Sequence, residues 1–294
     1  MSDDIPTYSH SQLGTWSRCH FSWYLNYDQK WQTLETKSYF LEGNIAHDLL
    51  MFYYKNIPLT GHAECVRLVK QRVGEYQRSA GSDEQKLAMV VKVAKMIKMY
   101  LEDFVHDYDQ QWDILDAEKH IKALLKTPKG REFYLEGYVD LLAREKSTGR
   151  LYIWDHKTHN KNPWTETMLL MDSQTPLYVA VLRYGMGIPI HGSIINQLNK
   201  YDYKTPQTVD KYFRRDSIYH NESELKYRML ELGRAVDEIE DAKEERLFRR
   251  NISKECSGCF YQDPCLALMK APELNLDSVM AVDFIKKQPK KVLI

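Results

Sequence analysis

The period of the hydrophobic pattern changes near Trp112, and that change constrains the fold more than any other feature of the chain. Before it, Phe40, Leu41, Ile45, Leu49, Leu50 and Tyr53 return at three- and four-residue steps, which predicts a helix from Ser38 to about Lys55. Helical stretches at about 62–78 and 84–108 follow, and Gly81-Ser82-Asp83 between them reads as a turn with an N-cap. After Trp112, three short segments rich in aliphatic and aromatic residues appear, at about 113–123, 132–144 and 150–158. The polar run Glu145-Lys146-Ser147-Thr148-Gly149 makes the last two a β-hairpin. A helix at about 165–185, a strand at about 190–198 and an amphipathic helix at about 222–248, capped by Asn221 and Glu224, complete the pattern. The expectation is an α/β fold with helical additions. The first 37 residues are crowded with aromatics and the last two dozen show no strong pattern, so neither stretch is given an element.

Composition narrows the function classes. The chain has 41 Lys plus Arg against 41 Asp plus Glu, which argues against coating nucleic acid non-specifically but permits a local phosphate-binding patch. The basic stretches Arg249-Arg250 and Lys286-Lys287-Gln288-Pro289-Lys290-Lys291 are either such patches or ordinary solvated surface. No apolar run approaches the ~20 residues a bilayer span needs, and Met1-Ser2-Asp3-Asp4 has no signal-peptide character. A cytoplasmic protein without a membrane partner is expected. No glycine–lysine–serine/threonine loop is present, so ATP use is not expected.

The hairpin carries the chemistry. Asp155 and Lys157 are two apart on a strand and so share a face. If the turn is centred between Ser147 and Thr148, paired residues have numbers summing to 295, which sets Asp140 opposite Asp155. Cross-strand Cβ atoms lie ~4.5–5.5 Å apart, close enough for two carboxylates to hold one cation. Oxygen ligands at that spacing suit Mg2+ or Mn2+, and such an ion beside Lys157 suits phosphodiester hydrolysis. The alternative is a surface ion pair, since aspartate-X-lysine is common by chance.

Five cysteines in a chain expected to be cytosolic are not read as disulfides. Cys256, Cys259 and Cys265 place three thiols within ten residues, a spacing that can wrap a metal, and a closed site needs a fourth ligand. Spacing does not separate zinc from an iron–sulfur cluster. Cys65 reads as a buried free thiol.

The run Gly137-Tyr138-Val139-Asp140 followed by Ile153-Trp154-Asp155-His156-Lys157-Thr158 resembles the core of RecB-like nucleases of the PD-(D/E)XK superfamily. Four further stretches are similar in the same order: Tyr8-Ser9-His10-Ser11-Gln12-Leu13 leading to Arg18-Cys19, Gly43-Asn44-Ile45-Ala46-His47, Gln174 with Tyr178, and the Cys256–Cys265 group. The resemblance spans positions 8 to 265. His20, where the family often has proline, and His156, whose side chain is expected to face away from the metal, depart from it.

The resemblance implies a restriction-endonuclease-like core, a mixed sheet flanked by helices, with residues 1–270 as one nuclease domain, a helical insertion at about 60–110 and a tail at 271–294. It implies Asp140, Asp155, Lys157, Gln174 and Tyr178 as catalytic residues. His47, Asp140, Asp155 and the backbone carbonyl of His156 become metal ligands, and Glu118 a possible addition. Cys19 becomes the fourth thiol of a 4Fe–4S staple joining the terminal segments, with Zn2+ the alternative. The implied activity is that of a DNA exonuclease in recombination, repair or phage DNA processing, similar to the exonucleases of CRISPR adaptation and to AddB-type nuclease domains. An endonuclease or a non-catalytic DNA-end-binding subunit remain alternatives. The implied partners are DNA with free ends and, further, a homo-oligomer or a recombination protein.

Overall fold

The computed structural model describes residues 5–34, 38–105, 109–202, 205 and 207–287, without the side chains of 38–40. The chain forms two compact units, one made of Lys37–Leu125 and Tyr134–Met229, the other of Met1–Thr36, Lys126–Phe133 and Leu230–Ile294. In chain order the second unit begins with β1 (Thr7–Tyr8), α1 (His10–Arg18), α2 (His20–Trp23) and β2 (Trp31–Thr33). The first unit follows with α3 (Ser38–Thr60), α4 (His62–Ala80) and α5 (Glu84–Met99). Its sheet strands are β3 (Trp112–Lys126), β4 (Glu132–Glu145), β5 (Leu151–His159), β6 (Ile190–Asn199) and β7 (Phe213–Ile218), with α6 (Glu166–Leu170) and α7 (Gln174–Ala180) between β5 and β6. The helix α8 (Glu222–Glu245) leads back to the second unit, where α9 (Gln262–Lys270), α10 (Leu276–Met280) and β8 (Phe284–Lys286) end the chain.

The sheet is mixed. From β4 it runs to β5, β6 and β7, and β3 pairs with β4. β4–β5 is antiparallel, β5–β6 parallel and β6–β7 antiparallel. The parallel step requires a crossover, and α6 and α7 supply it. In β5 the alternation sorts side chains between two cores. Tyr152 and Trp154 enter a cluster with Ile45, Leu49 and Leu50 of α3, whereas Ile153 enters one with Tyr178 and Val179 of α7. Fully buried side chains of this size each contribute ~1.5–3 kcal/mol of apolar burial.

The hairpin register is the one the turn predicts. Leu141 pairs with Trp154, Leu142 with Ile153, Ala143 with Tyr152 and Arg144 with Leu151, all summing to 295. Gly149, at φ 72, closes the turn, where its N–H reaches the Glu145 carbonyl at 2.8 Å. Asp83 caps α5 through the Lys86 N–H, and Asn221 accepts from the Glu224 N–H at 2.9 Å. The Glu224 carboxylate turns instead to His220, 3.0 Å away.

The structure corrects three expectations. The helix expected over 165–185 is interrupted at Met171–Ser173, because Asp172 accepts from both the N–H and the hydroxyl of Thr175 at 2.9 Å and restarts the helix there. Pro176 fits the first turn of the new helix, where no N–H is needed. β7 had no expected counterpart, since Arg214, Arg215 and Asp216 hide its period. The patternless ends also have elements, and β8 pairs with β2, Trp31 opposite Lys286. The end of the stretch expected over 84–108 and Gln288–Lys291 of the basic tail lie outside the described residues. No helix among the described residues is long and apolar enough to cross a membrane.

The second unit has a core of Phe21, Leu25, Trp31, Tyr261, Leu268, Met280 and Phe284. Its helix α8 is tied to the 126–133 segment by Arg131, which contacts Asp237, Asp241 and Glu244. Trp16 donates to Glu238 at 3.2 Å, and the Tyr8 hydroxyl donates to Glu240.

Candidate active site

The antiparallel ladder of β4 and β5 stops after Leu141 and Trp154, one residue short of the two acids. There the side chain of Asp140 takes over the role of the backbone: its Oδ2 accepts the His156 N–H at 2.6 Å. The same oxygen lies 3.4 Å from Nδ1 of His47 on α3. Burial alone would raise the Asp140 pKa, but the hydrogen bond and charge of His47, with His156, pull it down to about 2. Asp140 in turn holds the His47 pKa up against its own burial.

Glu118 approaches the same point from β3. Its φ of 55 interrupts the strand, so that Ala117 enters the α3 cluster while Ile121 enters the α7 cluster. A non-glycine residue in this region costs ~1–3 kcal/mol and persists where its surroundings fix it. His47, Glu118 and Asp140 each offer a donor atom, and these atoms lie within 4.8 Å of one another. One imidazole nitrogen and two carboxylate oxygens are a donor set suited to Mg2+ or Mn2+, so the residues present fit the ion the sequence implies. The structure promotes Glu118 from a possible residue to one of the three.

Asp155 faces Lys157 rather than this group. Its Oδ2 lies 2.7 Å from the Lys157 Nζ, and the side chain is 10% exposed. Burial raises its pKa to about 6, opposed by Lys157 and reinforced by Asp140. The Lys157 ammonium also donates to Gln174 Oε1 at 3.2 Å, and despite burial Asp155 keeps its pKa high. Gln174 and Tyr178 are one helical turn apart on α7, and burial lifts the Tyr178 pKa to about 12. Tyr178 passes over Gly137: a Cβ there would stand 2.6 Å from the tyrosine oxygen. The glycine before Asp140 is therefore a space requirement.

His156 points away from the acids. Its ring stacks on Tyr54 at 5.6 Å, and its Nδ1 meets the Asn196 amide at 2.9 Å. Burial lowers its pKa to about 3, which keeps the imidazole neutral. Asn196 also donates to the Tyr100 hydroxyl, which accepts from Arg215, and Arg215 pairs with Asp109 at 2.5 Å. A buried polar chain thus backs β5, the strand that carries Asp155 and Lys157. Sequence reasoning missed this chain and also Trp164, whose ring lies 5.3 Å from the Lys157 Nζ.

In the second unit, Cys19 sits between α1 and α2, Cys256 in the turn Lys254–Gly258, Cys259 just after it and Cys265 on α9. Cys19, Cys259 and Cys265 pack against the core of that unit. Burial raises the Cys259 and Cys265 pKa values, and neighbouring thiols add to it: Cys19 and Cys256 for Cys259, Cys19 and Cys259 for Cys265. The four are in electrostatic reach of one another, but no three of them meet within 4.8 Å among the described residues. Cys65, the fifth, is buried in the first unit with its sulfur 3.1 Å from the Thr60 hydroxyl. In the basic stretches the exposed Arg250 lies 4.1 Å over the Phe21 ring, and the exposed Lys286 lies 4.0 Å over Trp31.

Residues 7–266 match the family described as the PD-(D/E)XK nuclease superfamily. A comparison with curated proteins found no match. Among solved structures, a presumptive exonuclease from Eubacterium rectale is 14% identical, covers 90% of this chain and 93% of its own, and superposes with a TM-score of 0.49.

Proposed function

As the chain belongs to the PD-(D/E)XK nuclease superfamily, we propose that it is a metal-dependent deoxyribonuclease, an exonuclease acting on DNA with free ends. The observation that carries this reading is the meeting of donor atoms of His47 from α3, Glu118 from β3 and Asp140 from β4 within 4.8 Å, with β4 paired to the strand that carries Asp155 and Lys157. His47, Glu118 and Asp140 would hold the divalent ion, with Asp155 and the His156 carbonyl as the further ligands that the resemblance implies. When bound, that ion supplies a Lewis acid for a phosphate oxygen. Lys157 orients the attacking water and neutralises charge that develops on the phosphate in the transition state. Gln174 accepts a hydrogen bond from the lysine and so limits its rotation, and Tyr178 packs beside it. The exonuclease preference and the role in recombination, repair or phage DNA processing in the cytoplasm follow from the ordered set of motifs shared with RecB-like nucleases.

In the same reading Cys19, Cys256, Cys259 and Cys265 would hold a 4Fe–4S cluster, as the resemblance to RecB-like nucleases implies, with four-thiolate Zn2+ as the alternative. The cluster ties the two ends of the second unit together and takes no part in hydrolysis. Residues 1–270 then act as one nuclease domain, with the helices at about 60–110 as an insertion.

The test uses end-labelled linear single- and double-stranded DNA and closed circles, in Mg2+ or Mn2+, beside Asp155→Ala. Loss of label from linear DNA only, abolished in the variant, establishes the exonuclease. Cleavage of circles makes it an endonuclease with the same site. No cleavage by folded, metal-loaded protein replaces the enzyme with a DNA-end-binding subunit.

A further inference from the structure

Gln197 is 1% exposed and stands beside Lys157 in the parallel β5–β6 pair, with Arg214 as its partner on β7. A buried amide is costly unless its hydrogen bonds are made. Those of Gln197 are made to the Trp164 peptide and to Asp216. Its Oε1 accepts the Trp164 N–H at 2.7 Å, and its Nε2 donates to the Trp164 carbonyl at 3.3 Å. Arg214 donates to the same carbonyl at 3.0 Å, and Asp216 accepts from both Gln197 and Arg214 at 2.7 and 2.9 Å. The main-chain N–H needs an acceptor and the two oxygens need donors, so the amide has only one useful orientation.

The peptide held in this way lies just beyond β5, the strand that ends at His159. Its indole packs against Leu169, Ile195 and Ile218 and presents a face to Lys157, with Nζ 5.3 Å from the ring centroid. An aromatic face attracts an ammonium and keeps water from that side of it. Asp155 at 2.7 Å and Gln174 at 3.2 Å hold the same ammonium by polar contacts.

We propose that Trp164 and Gln197 are positioning residues for Lys157: Gln197 clamps the Trp164 peptide, and the ring caps the ammonium between Asp155 and Gln174. The functional part of this inference rests on the nuclease reading of Lys157. The cap itself does not.

Two measurements separate them, both on Trp164→Ala, Trp164→Phe and Gln197→Met and the second also on Lys157→Ala, with thermal unfolding as a folding check. The first is the rate of reductive methylation of Lys157 by formaldehyde and cyanoborohydride, read by peptide mass spectrometry without DNA, with exposed Lys226 as the internal standard. Trp164→Ala should label Lys157 about tenfold faster than wild type, Gln197→Met should do likewise, and Trp164→Phe should recover most of the protection. Unchanged labelling in Trp164→Ala overturns the cap. The second is steady-state cleavage of linear DNA in Mn2+. Trp164→Ala should lower kcat about tenfold with KM for DNA unchanged, again largely recovered by phenylalanine. A change confined to KM overturns positioning and makes the ring a DNA contact. If Lys157→Ala cleaves like wild type, the nuclease reading of the lysine fails while the labelling result stands by itself.

Discussion

Asp140 and Asp155 are the same residue type on neighbouring strands, yet their surroundings drive their pKa values apart, to about 2 and about 6. Asp140 has His47 and a backbone N–H beside it, whereas burial dominates at Asp155. The sign matters for metal binding. A carboxyl whose pKa is raised is protonated below that value, so a proton competes with the ion at Asp155 as pH falls through about 6, while Asp140 stays ionised. Mn2+ affinity of the protein, measured by isothermal titration, should rise with pH while Asp155 and His47 lose their protons, and level off only once His47, whose pKa Asp140 holds up, is neutral. An unchanged profile below pH 6 in Asp155→Asn would remove Asp155 from the ligand set. The contribution of Glu118 is testable at the same scale: Glu118→Gln should weaken Mn2+ at least about tenfold at pH 8, where Asp155 no longer competes with a proton. Unchanged affinity would return its unusual φ of 55 to a purely structural role.

At the scale of elements, Tyr178 of α7 reaches over β4 at residue 137, where glycine leaves it room. Adding a methyl there places a carbon 2.6 Å from the Tyr178 oxygen, so Gly137→Ala should destabilise the protein by ~1–3 kcal/mol and displace Tyr178. Urea unfolding and cleavage rate check this together: a stable variant with normal activity would show that the helix can move aside. β7 makes a different point. Its sequence Phe-Arg-Arg-Asp-Ser-Ile looks like a loop, and its charges make sense only with partners far away in the chain. Arg215 pairs with Asp109, and Tyr54 donates to the same aspartate at 2.9 Å. Both members of the pair are nearly buried, with 10% of each side chain exposed. Removing one partner leaves a buried charge, so Asp109→Ala or Arg215→Ala should each cost ~3–5 kcal/mol. The double variant Asp109→Leu/Arg215→Met should cost less than the two single losses added, and strict additivity would mean that the pair is not coupled.

At the scale of the whole molecule, the second unit gathers three separated segments, 1–36, 126–133 and 230–294. Two of these carry the four cysteines. Linking segments so far apart in sequence restricts the unfolded chain, so the metal cluster proposed there would act on stability. Cys259→Ala should lower the melting temperature and release iron while the residual folded fraction keeps its cleavage rate per molecule. Full thermal stability with no metal lost would exclude the staple.

By itself the sequence determined whatever depends on local period and turn chemistry. The hairpin register followed from one turn and proved right to the residue over Leu141–Arg144 and Leu151–Trp154, whereas the pairing ends before the two acids. The helices α3, α4 and α5 and the strands β3 to β6 were legible because their apolar residues repeat at the spacing of the element. Only the tertiary structure decided what long-range partners decide: the break in the helix at Asp172 was written locally but is subtle, whereas β7 and the pairing of β2 with β8 have no local signal. The same division runs through the site. Asp155 and Lys157 are a local pattern, but the convergence of Glu118 on His47 and the clamp of Gln197 on Trp164 join residues on different elements. A polar side chain looks the same in sequence whether water or a distant peptide satisfies it, and burial is what forces the choice.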